Sequence, residues 1–189
     1  MTANAAAMSD REAQGAAPAF SLPIGAKSAP AEPRSGRVSV RLAANEADIL
    51  AMILLGREMH AEGRFRKYPY DEARLLLAGK SALKLGNPGI ILAERNGELV
   101  GMATVVASEQ FFSPAKVASL HLLYVRKDAR RGRAAVLLLR ALRRWAQAAG
   151  ALELNISTTM GVGMDRSDRF LRKLGFRQTG GNYVLEGLG

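Results

Sequence analysis

The segment from Leu120 to Gly150 most constrains the fold, because it joins an apolar run to an amphipathic helix through a short turn. Leu120–Val125 is short and rich in strand-forming residues. Apolar residues then recur at helical spacing, namely Leu137, Leu138, Ala141, Leu142, Trp145 and Ala149. Gly150 supplies the helix stop. The pattern predicts a strand that leads directly into a helix, with residues 126–135 as the connection.

The connection is strongly basic. It carries five cations against the single acid Asp128, and the cations are Arg126, Lys127, Arg130, Arg131 and Arg133. The first N–H groups of a helix have no intrahelical partner, and the helix dipole is positive at that end. We therefore expect an anion, and a phosphate in particular, at this corner. A basic turn that is simply solvated is the alternative interpretation.

The chain before this segment predicts one strand and two helices. Val38–Leu42 alternates apolar and polar residues, as a half-buried first strand does. Asn45 is a helix N-cap with an apolar stripe after it, and Gly63 ends that helix. Asp71 can cap a second helix, which ends at the turn that begins with Gly86.

The dipeptide Asn96-Gly97 is the clearest local signal in the chain. It stands between two apolar runs, Ile90–Arg95 and Glu98–Ala107, and therefore predicts a tight hairpin of the second and third strands. Ser108–Lys116 is predicted to be a loop that leads into the fourth strand.

The chain after Gly150 predicts one strand, one helix and a last hairpin. Leu152–Ser157 alternates as a fifth strand, and Asp165–Leu174 has one apolar helix face. A last hairpin is predicted from Phe176–Thr179 and Tyr183–Leu188. The element order is β–α–α–β–β–β–α–β–α–β–β, which indicates an α/β (α+β) fold with a mixed, mostly antiparallel central sheet and helices on both faces.

Composition limits the class of protein. Residues 1–36 are rich in Ala, Pro, Ser and Gly and are predicted to be a flexible leader without a secretory signal, whereas residues 37–189 form one domain. The absence of cysteine excludes disulfides and a cysteine nucleophile, so a cytoplasmic location is expected. The net charge of +10 suggests an acidic partner, and no apolar run approaches the roughly 20 residues that span a membrane.

The turn Arg130-Arg131-Gly132-Arg133-Ala134-Ala135 resembles the acetyl-coenzyme A loop of GNAT-family acyltransferases, whose pattern is Gln/Arg-x-x-Gly-x-Gly/Ala. In one alignment Arg130 takes the first place and Ala135 the last, and Arg133 then stands where glycine is usual. In the other, Gly132 and Ala134 take the two small places. The end of the last helix, Arg169–Phe176, is similar to the family's last helix with its final Gly-Phe, and the element order is also that of the family. The resemblance covers Val38 to Gly189.

The resemblance implies an N-acyltransferase that uses acetyl-coenzyme A as acyl donor, without a metal, and transfers the acetyl group to an unidentified primary amine by direct attack. It implies that the pyrophosphate binds the loop residues Arg130, Arg131, Gly132, Arg133, Ala134 and Ala135. Leu123, Tyr124 and Val125 would then offer backbone groups to the pantetheine arm and the thioester. Monomer and homodimer are both compatible with it.

His121 on the fourth strand is the first candidate for a general base, because histidine is the commonest side chain in that role. It stands where related enzymes often carry a carboxylate, and Glu109 could do the same work. The family's proton-donating tyrosine place holds Leu171, so we expect another hydroxyl near the sulfur, with Tyr124, Ser157, Thr158 and Thr159 as candidates. Glu58 and His60 are expected near the acceptor side, although simple surface placement is preferred for both.

Two other functions use the same residues. A nucleic-acid-binding basic domain would use the arginines of the two last helices for phosphate contacts, although no recognisable nucleic-acid motif accompanies them. A regulatory domain that binds acetyl-coenzyme A without turnover is favoured only by Leu171. Arg64, Arg66 and Lys67, near the expected acceptor entrance, favour an acidic acceptor.

Overall fold

A five-stranded sheet forms the centre of the protein in the computed structural model, which describes residues 36–158 and 164–184. Its strands lie in sequence order: β1 Val38–Leu42, β2 Gly89–Arg95, β3 Glu98–Gln110, β4 Ser113–Val125 and β5 Ala151–Ile156. Neighbouring strands from β1 to β4 are antiparallel, and β5 runs parallel to β4. The mixed, mostly antiparallel sheet confirms the predicted fold class. The predicted leader, except for Gly36, lies outside the described residues.

Helices cover both faces of this sheet. They are α1 Glu46–Glu62, α2 Glu72–Leu85, α3 Ala134–Ala148 and α4 Met164–Lys173. Short 3-10 turns occupy Arg64–Lys67 and Lys127–Ala129. One apolar cluster joins α1 and α2 to the sheet, and a second joins α3 and one face of α4 to the opposite side. These layers meet at the end of β4, where residues of α1, α3, α4 and β4 line a cleft.

The start of α1 is fixed by side-chain hydrogen bonds. The Asn45 side chain accepts a hydrogen bond from the Asp48 amide at 3.0 Å, as the sequence predicts for an N-cap. The buried Asp48 carboxylate accepts two hydrogen bonds from the Arg41 guanidinium at 2.6 and 2.7 Å, and Arg41 also binds Glu94. Arg41 thereby holds the pKa of Asp48 below its ordinary value. These contacts fasten β1 and β2 to the first turn of α1.

The amphipathic face of α3 fills the other side of the sheet. Leu138, Leu142 and Trp145 are almost completely buried there, at the helical spacing that the sequence shows. The Trp145 ring lies over Gly89, and a Cβ atom at that glycine would come within 2.5 Å of the indole. Glycine is therefore required at the start of β2 for α3 to pack this closely.

The prediction of a loop over Ser108–Lys116 is wrong. β3 continues to Gln110 and β4 already begins at Ser113, so that only Phe111 and Phe112 form the turn. Pairing can extend this far despite Pro114, because the register shifts between Glu109 and Gln110 and leaves Pro114 without a partner in β3. Hydrogen bonding across a long hairpin overrides the local signal of a proline.

The prediction of a last hairpin is also wrong where it can be compared. Phe176–Thr179 is irregular, Tyr183 and Val184 are not in a strand, and residues 185–188 lie outside the described residues. The backbone instead closes the end of α4, since the Phe176 amide donates to the Leu171 carbonyl at 3.1 Å. Gly175 has a φ of 88° in this cap, which favours glycine. The Arg172 guanidinium also binds Gln178 at 3.0 Å and holds the segment against α4.

Candidate functional site

A cleft opens where β4 and β5 stop pairing. The two strands are paired only over Lys116–Leu120 and Ala151–Ile156, whereas β3 continues beside β4 as far as Val125. Residues 121–125 therefore have a strand on one side only within the described part of the chain. An unpaired strand edge of this kind offers backbone N–H and C=O groups to a ligand.

A cavity of about 310 Å³ occupies this cleft. Its walls come from β4, the end of β5, the last turn of α1, the 3-10 turn after it, α3 and α4. The lining residues are Met59, Phe65, Leu120, His121, Leu122, Leu123, Leu139, Ile156, Ser157, Thr158, Met164, Ser167, Phe170 and Leu171. Ten of these fourteen are apolar, and no Asp, Glu, Lys or Arg stands among the described lining residues. The cavity fits an apolar chain with a few hydroxyl or imidazole contacts.

The first turn of α3 lies about 7.5 Å along the helix from this cavity, since Ala134 precedes the lining residue Leu139 by five residues. Arg133 is the N-cap and its side chain caps no amide, so the first N–H groups of the helix have no side-chain partner. Arg131 and Arg133 are both exposed, and neither has a carboxylate within ion-pair distance among the described residues. The helix start is therefore an uncapped cationic end that can accept an anion.

Arg133 is compatible with this backbone although glycine is usual at its place in one alignment. Its φ of −88° is negative, with a ψ of −3°, so the backbone there does not adopt the left-handed conformation that favours glycine. Gly132 has less freedom, because a Cβ atom there would approach the Ala129 carbonyl oxygen to 3.2 Å. Of the two residues, only the glycine is under a steric restriction.

Arg130 contacts a carboxylate instead of the open helix end. Its Nη2 donates to Glu62 at 2.5 Å, and its Nε donates to the Val125 carbonyl at 2.8 Å. The Tyr124 hydroxyl donates to the same Glu62 carboxylate at 2.6 Å. Burial and the neighbouring carboxylate raise the pKa of Tyr124. Partial burial raises the pKa of Glu62, but the hydrogen bonds from Tyr124 and Arg130 outweigh it and lower that pKa.

The beginning of the basic turn is also neutralised. Arg126 binds Glu98 at 2.5 Å and Asp128 at 2.8 Å, and Arg95 binds the same Asp128 at 2.5 Å. These two guanidiniums hold the pKa of Asp128 well below its usual range. A second cavity of about 410 Å³ adjoins this network and is lined by Glu58, Ala61, Glu62, Arg126, Lys127 and Asp128. Its walls mix both signs of charge, whereas Arg131 and Arg133 have no carboxylate within ion-pair distance among the described residues.

The predicted catalytic residues do not all meet at the cleft. His121 and Leu123 line the cavity, as do the hydroxyl residues Ser157 and Thr158. Glu109 does not line it, because that residue faces Lys116 in register near the far end of the β3–β4 hairpin. The Tyr124 hydroxyl is also absent from the lining, since it is bonded to Glu62. Thr159 lies outside the described residues.

The two residues expected near the acceptor side, Glu58 and His60, do not line the first cavity. Glu58 lines the second cavity, and His60 Nε2 lies 3.0 Å from the Tyr68 carbonyl. Leu171 lies in the cavity wall, at the place where the family carries its tyrosine.

Nine of the fourteen lining residues were not among the predicted site residues, and three of the nine show why. Met59 and Phe65 close the cavity from the side of α1 and the turn after it. Ser167 stands on the same face of α4 as Leu171, four residues earlier, so helical spacing could have identified it. No local signal could have identified Phe65, because a half-buried aromatic residue between two arginines has the pattern of an ordinary surface turn.

The comparison with protein families gives the class. The model of the Acetyltransferase (GNAT) family matches residues 52–176, which include β2 to β5, α2, α3 and α4. The chain belongs to the GNAT acetyltransferase family. It is an acetyltransferase of that family whose acceptor is not identified by the match.

Solved structures share the fold. An aminoglycoside N-acetyltransferase, AAC(6')-Iy in complex with CoA, is 18% identical and superposes with a TM-score of 0.66 over 83% of this chain and 99% of its own. A transcriptional regulator from Bacillus halodurans C-125 is 20% identical, with a TM-score of 0.66 over 80% and 100% of the chains. The aminoglycoside acetyltransferase meta-AAC0020, from an uncultured soil metagenomic sample, is 21% identical, with a TM-score of 0.61 over 79% and 97%. No curated protein sequence matches the chain.

Two features are absent from the described residues. Across residues 36–158 and 164–184, no group of three or more His, Asp or Glu side chains is arranged to hold a metal ion. In the same ranges, no helix combines the length and the apolar character needed to cross a membrane.

Proposed function

We propose that the protein transfers an acetyl group from acetyl-coenzyme A to a primary amine by direct attack on the thioester. One observation carries the proposal: the uncapped, cationic start of α3 adjoins the cleft in which β4 leaves β5. If the pyrophosphate binds at the start of α3 and the acyl-bearing arm binds in the cleft, these two sites must lie next to each other. The CoA complex of the aminoglycoside N-acetyltransferase with the same fold supports this choice of donor.

The pyrophosphate is assigned to the amides of Ala134 and Ala135, with Arg131 and Arg133 as cationic contacts. Gly132 lets the backbone approach the phosphate oxygens closely. In this proposal Arg130 has a positioning role, because its guanidinium is already bonded to Glu62 and to the Val125 carbonyl.

The pantetheine arm is assigned to the open edge of Leu123–Val125, where backbone groups without a β5 partner can accept and donate hydrogen bonds. One backbone N–H at this edge would stabilise the charge that develops on the thioester oxygen. The apolar wall from Leu139 and Phe170 would exclude water from the arm and from the thioester.

In the proposed reaction, the nitrogen of the neutral amine forms a bond to the acetyl carbon while the bond from carbon to sulfur breaks. His121 takes the proton that the amine loses, since it is the only imidazole among the described lining residues. The sulfur leaves as a thiolate and takes a proton from water, either directly or through a hydroxyl of Ser157, Thr158 or Ser167 that receives a proton from water as it gives one up. A thiol has a pKa of about 8.5, far lower than that of an amine, so the leaving group needs little help from an acid. Leucine at position 171 is compatible with that chemistry.

Donor binding is tested by the melting temperature of the full chain with and without acetyl-coenzyme A. A ligand that binds only the folded state stabilises it by about 2.7 kcal/mol at a hundredfold excess over its dissociation constant. The double substitution Arg131→Ala with Arg133→Ala should remove most of the ligand-induced shift. The matched control is Arg143→Ala with Arg144→Ala, which removes the same charge from an exposed part of α3 and should keep the shift. Absence of a shift for the wild-type chain at millimolar ligand rejects the proposal.

The role of His121 is tested by thiol release with a panel of primary amines. His121→Ala should lower kcat about a hundredfold and leave the acetyl-coenzyme A shift unchanged, because general-base catalysis is worth a factor of this order. His60→Ala is the control, since that imidazole does not line the cavity. If both variants retain full kcat, the base is not His121.

The sensor and nucleic-acid alternatives stay predictions. A transcriptional regulator from Bacillus halodurans has the same fold, which is compatible with the sensor alternative, but 20% identity indicates a shared fold alone. The exposed arginines of α3 and α4 are the feature of the structure that suggests nucleic-acid binding. The division into a leader and one domain, the cytoplasmic location and the oligomeric state also stay predictions.

A further inference from the structure

Resting on the proposed function, we infer that the acceptor is a primary amine on an apolar, aromatic-sized body with an anionic group at the end away from the amine. A polycation such as an aminoglycoside does not fit this site. Three features of the end of the cavity that the donor does not use favour such an acceptor.

The first feature is the composition of the acceptor end. The donor arm is assigned to β4, α3 and α4, so the acceptor must enter from the opposite side, where Met59 and Phe65 line the cavity. A thioether and an aromatic ring offer dispersion contacts and no strong hydrogen bond. Such a surface selects an apolar body beside the reacting amine.

The second feature is the lack of carboxylates. No acid lines the described part of the cavity. Of the two acids of α1 on either side of Met59, Glu58 lines the second cavity and Glu62 is occupied by Tyr124 and Arg130. An ammonium group in an apolar cavity loses its hydration and gains no carboxylate partner in return, so its binding there is strongly unfavourable. A molecule with four or five ammonium groups, as an aminoglycoside has, would bear that cost repeatedly. A single amine avoids most of it by losing its proton.

The same apolar wall favours reaction of that single amine. Removal from water lowers the pKa of an ammonium group, and the neutral amine is the nucleophile. The apolar cavity thereby raises the neutral, reactive fraction of a single amine, although no carboxylate of the protein lines it.

The third feature is a pair of cations at the entrance, on either side of Phe65. Arg64 and Arg66 are exposed, and neither has a carboxylate within ion-pair distance among the described residues. The Arg64 guanidinium lies 5.2 Å from the centre of the Phe65 ring, so a cation stands at the rim of the aromatic wall. The rim is placed to bind an anionic group on the far end of an acceptor.

The experiment compares three amines at fixed acetyl-coenzyme A. They are 4-(2-aminoethyl)benzoate, which has a carboxylate opposite its amine, phenethylamine, which lacks the carboxylate, and the aminoglycoside sisomicin. Thiol release gives kcat/KM for each one. We expect the benzoate to exceed phenethylamine about tenfold, which corresponds to one ion pair of about 1.4 kcal/mol, and sisomicin to be the poorest of the three.

The double substitution Arg64→Gln with Arg66→Gln should reduce the ratio of benzoate to phenethylamine to about one. The control is Arg143→Gln with Arg144→Gln, which makes the same change in net charge on α3 and should keep the tenfold ratio. A second readout avoids turnover, because the melting shift caused by the benzoate in the presence of coenzyme A should also be lost in the first variant and kept in the control.

The outcomes separate the two proposals. A wild-type chain that shows the acetyl-coenzyme A shift but acetylates sisomicin better than either monoamine overturns this inference and leaves the proposed function standing. So does a benzoate to phenethylamine ratio near one in the wild type, or a ratio that survives the loss of Arg64 and Arg66. A chain that shows no shift with acetyl-coenzyme A and no thiol release overturns both proposals together.

Discussion

Two basic segments flank the cleft, and they differ in how much of their charge is available. The turn at residues 126–135 carries five cations, but Arg126 and Arg130 are hydrogen-bonded to carboxylates and Lys127 lies 3.8 Å from Glu62. Only Arg131 and Arg133 have no carboxylate partner among the described residues. In the shorter turn Arg64–Lys67, by contrast, neither of the two arginines is paired with an acid of the described chain.

The difference shows that the number of charges in a segment does not measure its capacity to bind an anion. In the longer turn, three cations neutralise Glu62, Glu98 and Asp128 and thereby hold the end of β4 in place. The uncapped amides of α3 and the two remaining arginines are left for a ligand. The division between cations that hold the fold and groups that meet the ligand can be tested at three positions.

The largest effect is expected at the start of α3. Ala135→Asp should weaken acetyl-coenzyme A binding about a hundredfold, because a carboxylate next to a pyrophosphate costs several kcal/mol. Ala135 is half-buried, so without ligand the variant should be compared with Ala135→Asn and should unfold at a temperature no lower, since an acid in the first turn of a helix is favourable. Calorimetric titration measures the first quantity and thermal unfolding the second. Ala135→Asn is the uncharged control. Equal affinities of the two variants for acetyl-coenzyme A would show that the pyrophosphate does not bind at this helix end.

The next largest effect is expected at Glu62 of α1, which binds the end of β4 and the turn through Tyr124 and Arg130. Glu62→Gln should lower the free energy of unfolding by about 1–2 kcal/mol, because it weakens hydrogen bonds to one cation and one buried hydroxyl. The expected loss is modest since Arg130 is partly exposed. Urea unfolding measures it, with the exposed acid Glu153→Gln as the control. A loss no greater than that of the control would mean that this ion pair does not stabilise the end of β4.

The contribution of Glu62 should also depend on pH. Its pKa in the folded protein lies below the ordinary value of 4.5, so the folded state binds fewer protons than the unfolded state in this region. The stabilisation is therefore complete above about pH 4.5 and is lost as the pH falls through the lower folded value. The difference in unfolding free energy between the wild type and Glu62→Gln should be the same at about pH 6 and pH 7 and smaller near pH 3.5. A difference that grows on acidification would reverse the assigned direction of the pKa shift.

The smallest effect is expected at Arg126. Arg126→Gln breaks contacts with Glu98 and Asp128 that lie at the surface, where solvent screens ion pairs, so the melting temperature should change less than in Glu62→Gln. The acetyl-coenzyme A melting shift should be retained. Loss of that shift would place Arg126 among the groups that meet the ligand and would remove the contrast between the two kinds of cation.

Much of the fold was predictable because its signals are local. The Asn45 cap, the Asn96-Gly97 turn and the apolar stripe of α3 each depend on a few neighbouring residues, and all three elements occur where the sequence predicts them. The predicted loop over Ser108–Lys116 and the predicted strand at Phe176 were wrong for one shared reason. Whether a short segment forms a strand depends on a partner that lies elsewhere in the chain.

The sequence by itself determined the order of the elements, the cationic turn before α3 and the presence of His121 on β4, because spacing and residue type are sufficient for these. Only the tertiary structure decided which cations meet an acid, since Glu62 lies 68 residues before Arg130. It also decided that Tyr124 faces away from the cleft and that Phe65 lines it. Ion pairs and cavity walls form between residues that folding brings together, so their members cannot be read from neighbours in the chain.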